Sequence, residues 1–191
     1  MKKTVSSLLL ASTALLAADV GINASKGAYT ITESYPTAIV KPNTDVSGAE
    51  LFLTNDALFI ERESLKNYSS FTFNKTANTS ELSLLVGLVE EYKVSSATLY
   101  AGALVGYGQL SYDFNPLGTS LVQNKTTTSA LYGVTAGAKY SITENFFVNV
   151  NLKYMRNNYE VALQEGTTTG NIKHESLYSA GLGFGYSFDT K

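Results

Sequence analysis

The stretch "HESLYSAGLGFGYSF", residues 174–188, alternates with period two. Tyr178, Ala180, Leu182, Phe184, Tyr186 and Phe188 fall on one side, and Gly181, Gly183, Gly185 and Ser187 on the other. Sustained alternation marks a β-strand whose two faces meet different surroundings. The pattern recurs upstream. "NFFVNVNLKYMRNNY" sets Phe146, Val148, Val150, Leu152 and Tyr154 against Phe147, Asn149, Asn151, Lys153 and Met155. "TTTSALYGVTAGAKYSI" sets Tyr132, Val134, Ala136, Ala138 and Tyr140 against Gly133, Thr135, Gly137, Lys139 and Ser141. "SELSLLVGLVEEYKV" groups Leu82, Leu84, Val86, Leu88 and Tyr92 against Ser83, Leu85, Gly87, Val89, Glu91 and Lys93, with Glu90 alone breaking the apolar register.

"ATLYAGALVGYGQLSYD" has apolar residues in both registers, but Gly102, Gly106 and Gly108 share one of them. By analogy with the other strands, that side is assigned to the interior. Three further strands are expected. "LKNYSSFTFN" offers Phe71 and Phe73 on one face, and "AYTITESYPTAIV" is strand-like but contains Pro36. "AELFLTNDALFIE" loses its alternation at Asn55 and Asp56, where a bulge or a short hairpin turn is expected.

The eight strands are joined by two kinds of connection, which alternate along the chain. Short ones fall near 61–64, 93–96 and 142–145; longer polar ones fall near 41–48, 74–79, 115–125 and 164–171. In an antiparallel meander, all the long loops then lie at one end, and all the short turns lie at the other with the C-terminus. Bacterial outer-membrane barrels have this asymmetry and an even strand number. Alternation alone also fits a soluble lipocalin-like barrel with its faces exchanged. The glycines separate the two. An eight-stranded interior is narrow and favours small residues, whereas glycine facing water would weaken strands without gain. The expected fold is therefore all-β, an eight-stranded antiparallel up-and-down transmembrane barrel. Its bulky residues face lipid, and Tyr178, Tyr186 and Phe188 lie in the aromatic girdles.

Composition narrows the classes further. A chain of 191 residues is the size of one domain. Beyond its first residues, no stretch approaches the ~18 apolar residues that a membrane helix needs. A net charge of -2 without a basic run argues against nucleic acid as a partner. The absence of Cys removes disulfides and thiol chemistry. "MKKTVSSLLLASTALLA" has the charged-then-apolar layout of a secretory signal peptide. Cleavage after Ala17, Ala18 or Ala24 is compatible with it, and Ala24 is preferred. That choice makes 1–24 the leader and 25–191 a single barrel domain.

From about Glu81 to Phe188, "LLVGLVEEYKV", "LYGVTAGAKYSI" and "LYSAGLGFGYSF" resemble the small outer-membrane β-barrel family, which includes OmpA-type and OmpX-type eight-stranded barrels. The resemblance implies the cell outer membrane of a double-membraned bacterium, with outer-membrane lipid and the barrel-assembly machinery as partners. Family members usually end on an aromatic residue that this machinery is thought to read, and here Phe188 precedes three further residues.

Candidate chemistry is sparse. His174 and Ser176 resemble the His-x-Ser of the lipid A 3-O-deacylase family, but Leu177 stands where that family has Asn, and Phe188 where it has a carboxylate. One His and no Cys exclude a His/Cys metal cluster, and His174 is expected at the rim of an external loop. No cofactor is expected. Glu91, Lys139, Asn149, Asn151 and Lys153 are placed on the inner face, as a polar plug whose opposite charges satisfy one another. The reading that follows is non-catalytic: envelope structure, or contact with an unidentified surface ligand through the loops. The alternatives are a narrow porin-like channel and, third, a lipid A-modifying hydrolase.

Overall fold

The computed structural model describes residues 19–35, 38–40, 43–57, 62–112, 121–122, 126–165 and 168–188. Eight long strands carry the fold. They are β1 (Asp19–Tyr35), β2 (Asn43–Asp56), β3 (Leu65–Lys75), β4 (Thr79–Val94), β5 (Ala97–Tyr112), β6 (Thr126–Ser141), β7 (Phe146–Glu165) and β8 (Thr168–Ser187). Each pairs antiparallel with its neighbours in sequence, and β8 closes the ring on β1 from Ser187↔Asp19 to Asn171↔Ser34. Closure satisfies the backbone groups that an open sheet edge would expose to lipid.

Large apolar residues are exposed on all eight strands, from Ile22, Leu51 and Phe71 through Leu84, Val105 and Val134 to Val150 and Phe184. Soluble monomers rarely carry an apolar surface of that extent, so this wall is built for hydrocarbon. Three strands carry exposed or partly exposed aromatic pairs eight residues apart: Tyr132 and Tyr140, Phe146 and Tyr154, Tyr178 and Tyr186. Eight residues of tilted strand rise roughly 20 Å, close to the apolar band of an outer-membrane barrel. Neighbouring girdle rings touch, with Tyr154 and Tyr178 at 4.6 Å between centroids and Phe146 and Tyr186 at 5.1 Å.

The interior is fuller than expected. Tyr29, Phe52, Tyr68, Tyr100, Phe147 and Tyr159 are buried beside the small residues. At four of the inward glycines, Gly21, Gly108, Gly137 and Gly185, the space is taken by a ring. A Cβ on Gly21 would lie 2.3 Å from the Phe52 ring, and one on Gly185 would lie 2.3 Å from the Phe147 ring. In the β5 segment, Tyr100, Leu104, Leu110 and Tyr112 are buried on the face that carries Gly102, Gly106 and Gly108.

The connections differ from the expected pattern. The polar segment near 41–48 is mostly strand, since Asn43–Gly48 pairs with Thr30–Ser25. The segment near 74–79 is a tight turn, in which Thr76 Oγ1 accepts from the amides of Asn78 and Thr79. The segment near 164–171 belongs almost wholly to β7 and β8, which pair out to Glu165↔Thr168. Thr- and Asn-rich sequence reads as loop, but strands projecting beyond the bilayer are wet on the outside and need no alternation. Of the four segments expected to be long, the one near 115–125 falls in a wide gap between strands, from Tyr112 to Thr126, within which Leu121 and Val122 pair with Gln164 and Leu163. Asn55 and Asp56 form no bulge and continue the ladder to Asn67 and Lys66. Pro36 lies outside the described residues, while Ala38–Val40 folds back on Tyr35–Glu33. At the other end, Ser95 opens the two-residue β4–β5 turn with φ 54°.

β1 also bears on the expected leader boundary. A chain beginning at Ser25 would lose Asp19–Ala24, which pairs with both β8 and β2. Cleavage after Ala17 or Ala18 keeps those pairings. The intact mass of the barrel extracted from membranes is expected to give an N-terminus at or before Asp19, and a start at Ser25 would contradict this register. Gly21→Ala is expected to lower unfolding stability by about 1–3 kcal/mol through overpacking, with recovery in the Gly21→Ala/Phe52→Leu double variant. Heat-modifiability on unboiled gels reads both.

Candidate functional site: the polar lumen

Inward positions of the strands stack polar side chains into layers along the barrel axis. Nearest the short-turn end, Lys139 Nζ donates to Asp19 Oδ2 at 2.5 Å and to Glu91 Oε1 at 2.6 Å. Asp19 also accepts from Ser187 Oγ at 2.6 Å and Thr54 Oγ1 at 3.1 Å. One ammonium thus bridges two carboxylates from β1 and β4, and the rings of Tyr100 and Phe147 lie 5.8 and 5.7 Å from it.

The next layer centres on Glu50. Lys153 Nζ forms an ion pair with it, and Tyr68 OH, Asn151 Nδ2 and Asn23 Nδ2 donate to it at 2.8, 3.0 and 3.1 Å. Asn149 links this layer to the first: its amide donates to Asn23 Oδ1 at 2.9 Å, and its oxygen accepts from Tyr100 OH at 3.0 Å. Lys153 and Glu50 side chains are 7% and 4% exposed. Each would be costly alone, and the four donors around Glu50 are what make its burial tolerable.

A third layer holds Glu81, which accepts from Tyr29 OH, from Tyr159 OH at 2.7 Å and from Asn74 Nδ2 at 2.8 Å. Between the second and third layers lies a cavity of about 20 Å³ lined by Glu50, Glu81, Lys153, Thr72 and Asn157 among others. The Asn157 amide and the Thr72 hydroxyl have no protein partner. The cavity is large enough for a water, which needs about 10–15 Å³, and has the polar partners to hold one.

The five residues assigned to the inner face all lie in these layers: Glu91 and Lys139 meet in the first, Asn151 and Lys153 reach Glu50, and Asn149 joins the two through Asn23 and Tyr100. Asp19, Asn23, Glu50 and Glu81 were not assigned to it. Asp19 and Asn23 fall in the expected leader, and Glu50 stands at the start of a strand whose alternation slips at Asn55 and Asp56. Charge balance was the available signal, since two inward lysines against Glu91 alone leave one cation without a partner.

His174 is not at a loop rim. It is 1% exposed inside the barrel, with Nε2 2.8 Å from Tyr112 OH, and its ring packs edge-on against Tyr29. Against β1, whose Thr30 and Ile31 pair with Ser176 and His174, Glu175 is an extra residue, and this bulge switches the inward side of β8 from even to odd positions. His174 and Ser176 are both buried, but the imidazole is bonded to a tyrosine.

No family model matches the chain, and no curated relative matches it by sequence. Solved structures do match. The Neisserial surface protein A aligns with a TM-score of 0.59 at 14% identity, over 88% of this chain and 97% of its own. The outer membrane protein OprG from Pseudomonas aeruginosa aligns with a TM-score of 0.56 at 13% identity, over 90% and 96%. The chain therefore has the fold of the small eight-stranded outer-membrane β-barrels. With its apolar outer wall, it is an outer-membrane barrel.

Lys153→Met is expected to cost about 3–5 kcal/mol, because it strands the Glu50 carboxylate. The Glu50→Gln/Lys153→Met double variant should recover most of that loss. Guanidinium unfolding in detergent micelles measures both.

Proposed function

We propose that this protein is a non-catalytic envelope component whose barrel anchors and presents the strand extensions and loops beyond the outer girdle. The supporting observation is the plugged lumen: three ion-pair and hydrogen-bond layers fill it, and the interior cavity between them is about 20 Å³. A barrel filled in this way leaves its outer wall and projecting hairpins as the surfaces for interaction. Among the described residues the longest projecting hairpin is β7–β8, which continues past Tyr154 and Tyr178 to Glu165 and Thr168. This polar ribbon suits contact with a surface ligand rather than with lipid.

The hydrolase reading has little to recommend it. The His174 imidazole is enclosed, its Nε2 engaged by Tyr112, on the side of the wall that membrane lipid does not reach. The porin-like reading needs both charged layers to separate before a solute can pass.

Reconstitution in planar lipid bilayers tests this proposal. The expected result is no conductance steps from the native barrel, with steps appearing in a variant that clears two layers, such as Lys139→Ala/Glu50→Ala/Lys153→Ala. Regular steps from the native protein would favour the channel instead.

A further inference from the structure

One carboxylate of the three layers is held without a cation. Glu50 is paired with Lys153, and Asp19 and Glu91 share Lys139. Glu81 is buried, yet it accepts only from neutral groups, the hydroxyls of Tyr29 and Tyr159 and the amide of Asn74. No ion pair reaches it among the described residues. Three donors and no acceptor are the set that an ionised carboxylate takes. Burying that charge is costly unless a positive charge compensates it. His174 packs against the Tyr29 ring and does not line the cavity beside Glu81.

That cavity, between the second and third layers, has room for the missing charge. Its charged lining residues are Glu50, Lys153 and Glu81. Glu50 and Lys153 cancel each other as an ion pair, which leaves the charge of Glu81 over. Glu50 is also saturated, because its four donors match the roughly four acceptor positions of a carboxylate, whereas Glu81 has three donors and keeps a position open.

A second feature of the same cavity points to a ligand. Asn157 and Thr72 line it at 7% and 8% exposure, and neither the Asn157 amide nor the Thr72 hydroxyl has a protein partner. Their oxygens are of the uncharged kind that replaces the hydration shell of an alkali cation. At about 20 Å³ the cavity admits one water-sized particle, and so a bare ion rather than a hydrated one. A water would engage Asn157 and Thr72 but leave Glu81 uncompensated. No group of three or more His, Cys, Asp or Glu that could hold a metal ion occurs among the described residues, and a divalent ion would exceed the single charge left over.

We propose that the cavity binds one alkali cation, sodium or potassium, through the Glu81 carboxylate, Asn157 Oδ1 and Thr72 Oγ1. These ligands come from β4, β7 and β3, which only the folded barrel brings together. The ion therefore stabilises the folded state by mass action.

Urea unfolding of the full barrel in zwitterionic detergent micelles, read by circular dichroism, tests the site. Samples contain sodium, potassium or choline chloride at one fixed ionic strength; choline is too large for the cavity and reports the general effect of salt. The expected result is a folded-to-unfolded ratio higher in sodium or potassium than in choline, rising about tenfold for each tenfold increase of that cation above its dissociation constant. Whichever of the two gives the larger rise is the resident ion. Glu81→Gln and, separately, Thr72→Val are expected to lose most of this dependence. Unboiled gel migration confirms that each variant is folded, and if one does not fold the other carries the comparison. Equal stability of the native barrel in all three salts, as a cavity holding only water would give, or the full dependence in either folded variant, would overturn the proposal.

Discussion

Closure of the sheet on itself is the constraint from which the other features follow. A strand in hydrocarbon has no water to complete its backbone hydrogen bonds, so β8 must find β1, and the ring they close fixes a narrow tube. Two incompatible surroundings then lie on opposite sides of every strand. Outward positions take Leu, Val, Tyr and Phe because lipid rewards bulk. Inward positions must together fill most of a narrow bore.

The interior meets that demand by mixing rings, glycines and paired charges. Phe52, stacked on Tyr68 at 6.0 Å, occupies the space that Gly21 leaves. Tyr100, which reaches Asn149, fits where Gly137 has no Cβ. Lysine and carboxylate enter the same bore only as members of networks, and in each layer the partners come from strands far apart in sequence. Lys139 joins β6 to β1 and β4, while Glu50 joins β2 to β7. These cross-barrel ties oppose shear between strands that are otherwise joined only to their neighbours.

Much of this was legible in the sequence where two conditions coincided: a strand crossing the full apolar band, and a clear difference between its faces. β4, β6, β7 and the lower part of β8 satisfy both, and Lys139, Asn149, Asn151 and Lys153 lie on them. The signal failed where a strand leaves the membrane. Asn43–Gly48 and the outer ends of β7 and β8 are largely polar on the outer face, so the contrast between faces is lost there, although Val46, Tyr159, Val161 and Ile172 are still buried inward. It failed again at Glu175, where one extra residue exchanges the faces and brings His174 indoors. Asp19 and Asn23 were hidden because the apolar and small-residue composition of the first residues continues into β1 without a break.

The central claim is that the bulky face meets hydrocarbon and the small and polar face packs against itself in the interior. Because the chain contains no Cys, single cysteines carrying a nitroxide can be introduced at Leu84, Val150 and Leu182 outside and at Ser83 and Ser179 inside. Power-saturation EPR in lipid vesicles then compares collisions with oxygen and with a water-soluble nickel chelate. The account predicts high oxygen and negligible nickel contact for the first three labels, and little contact with either reagent for the other two. Nickel contact at Leu84, Val150 and Leu182 would contradict it.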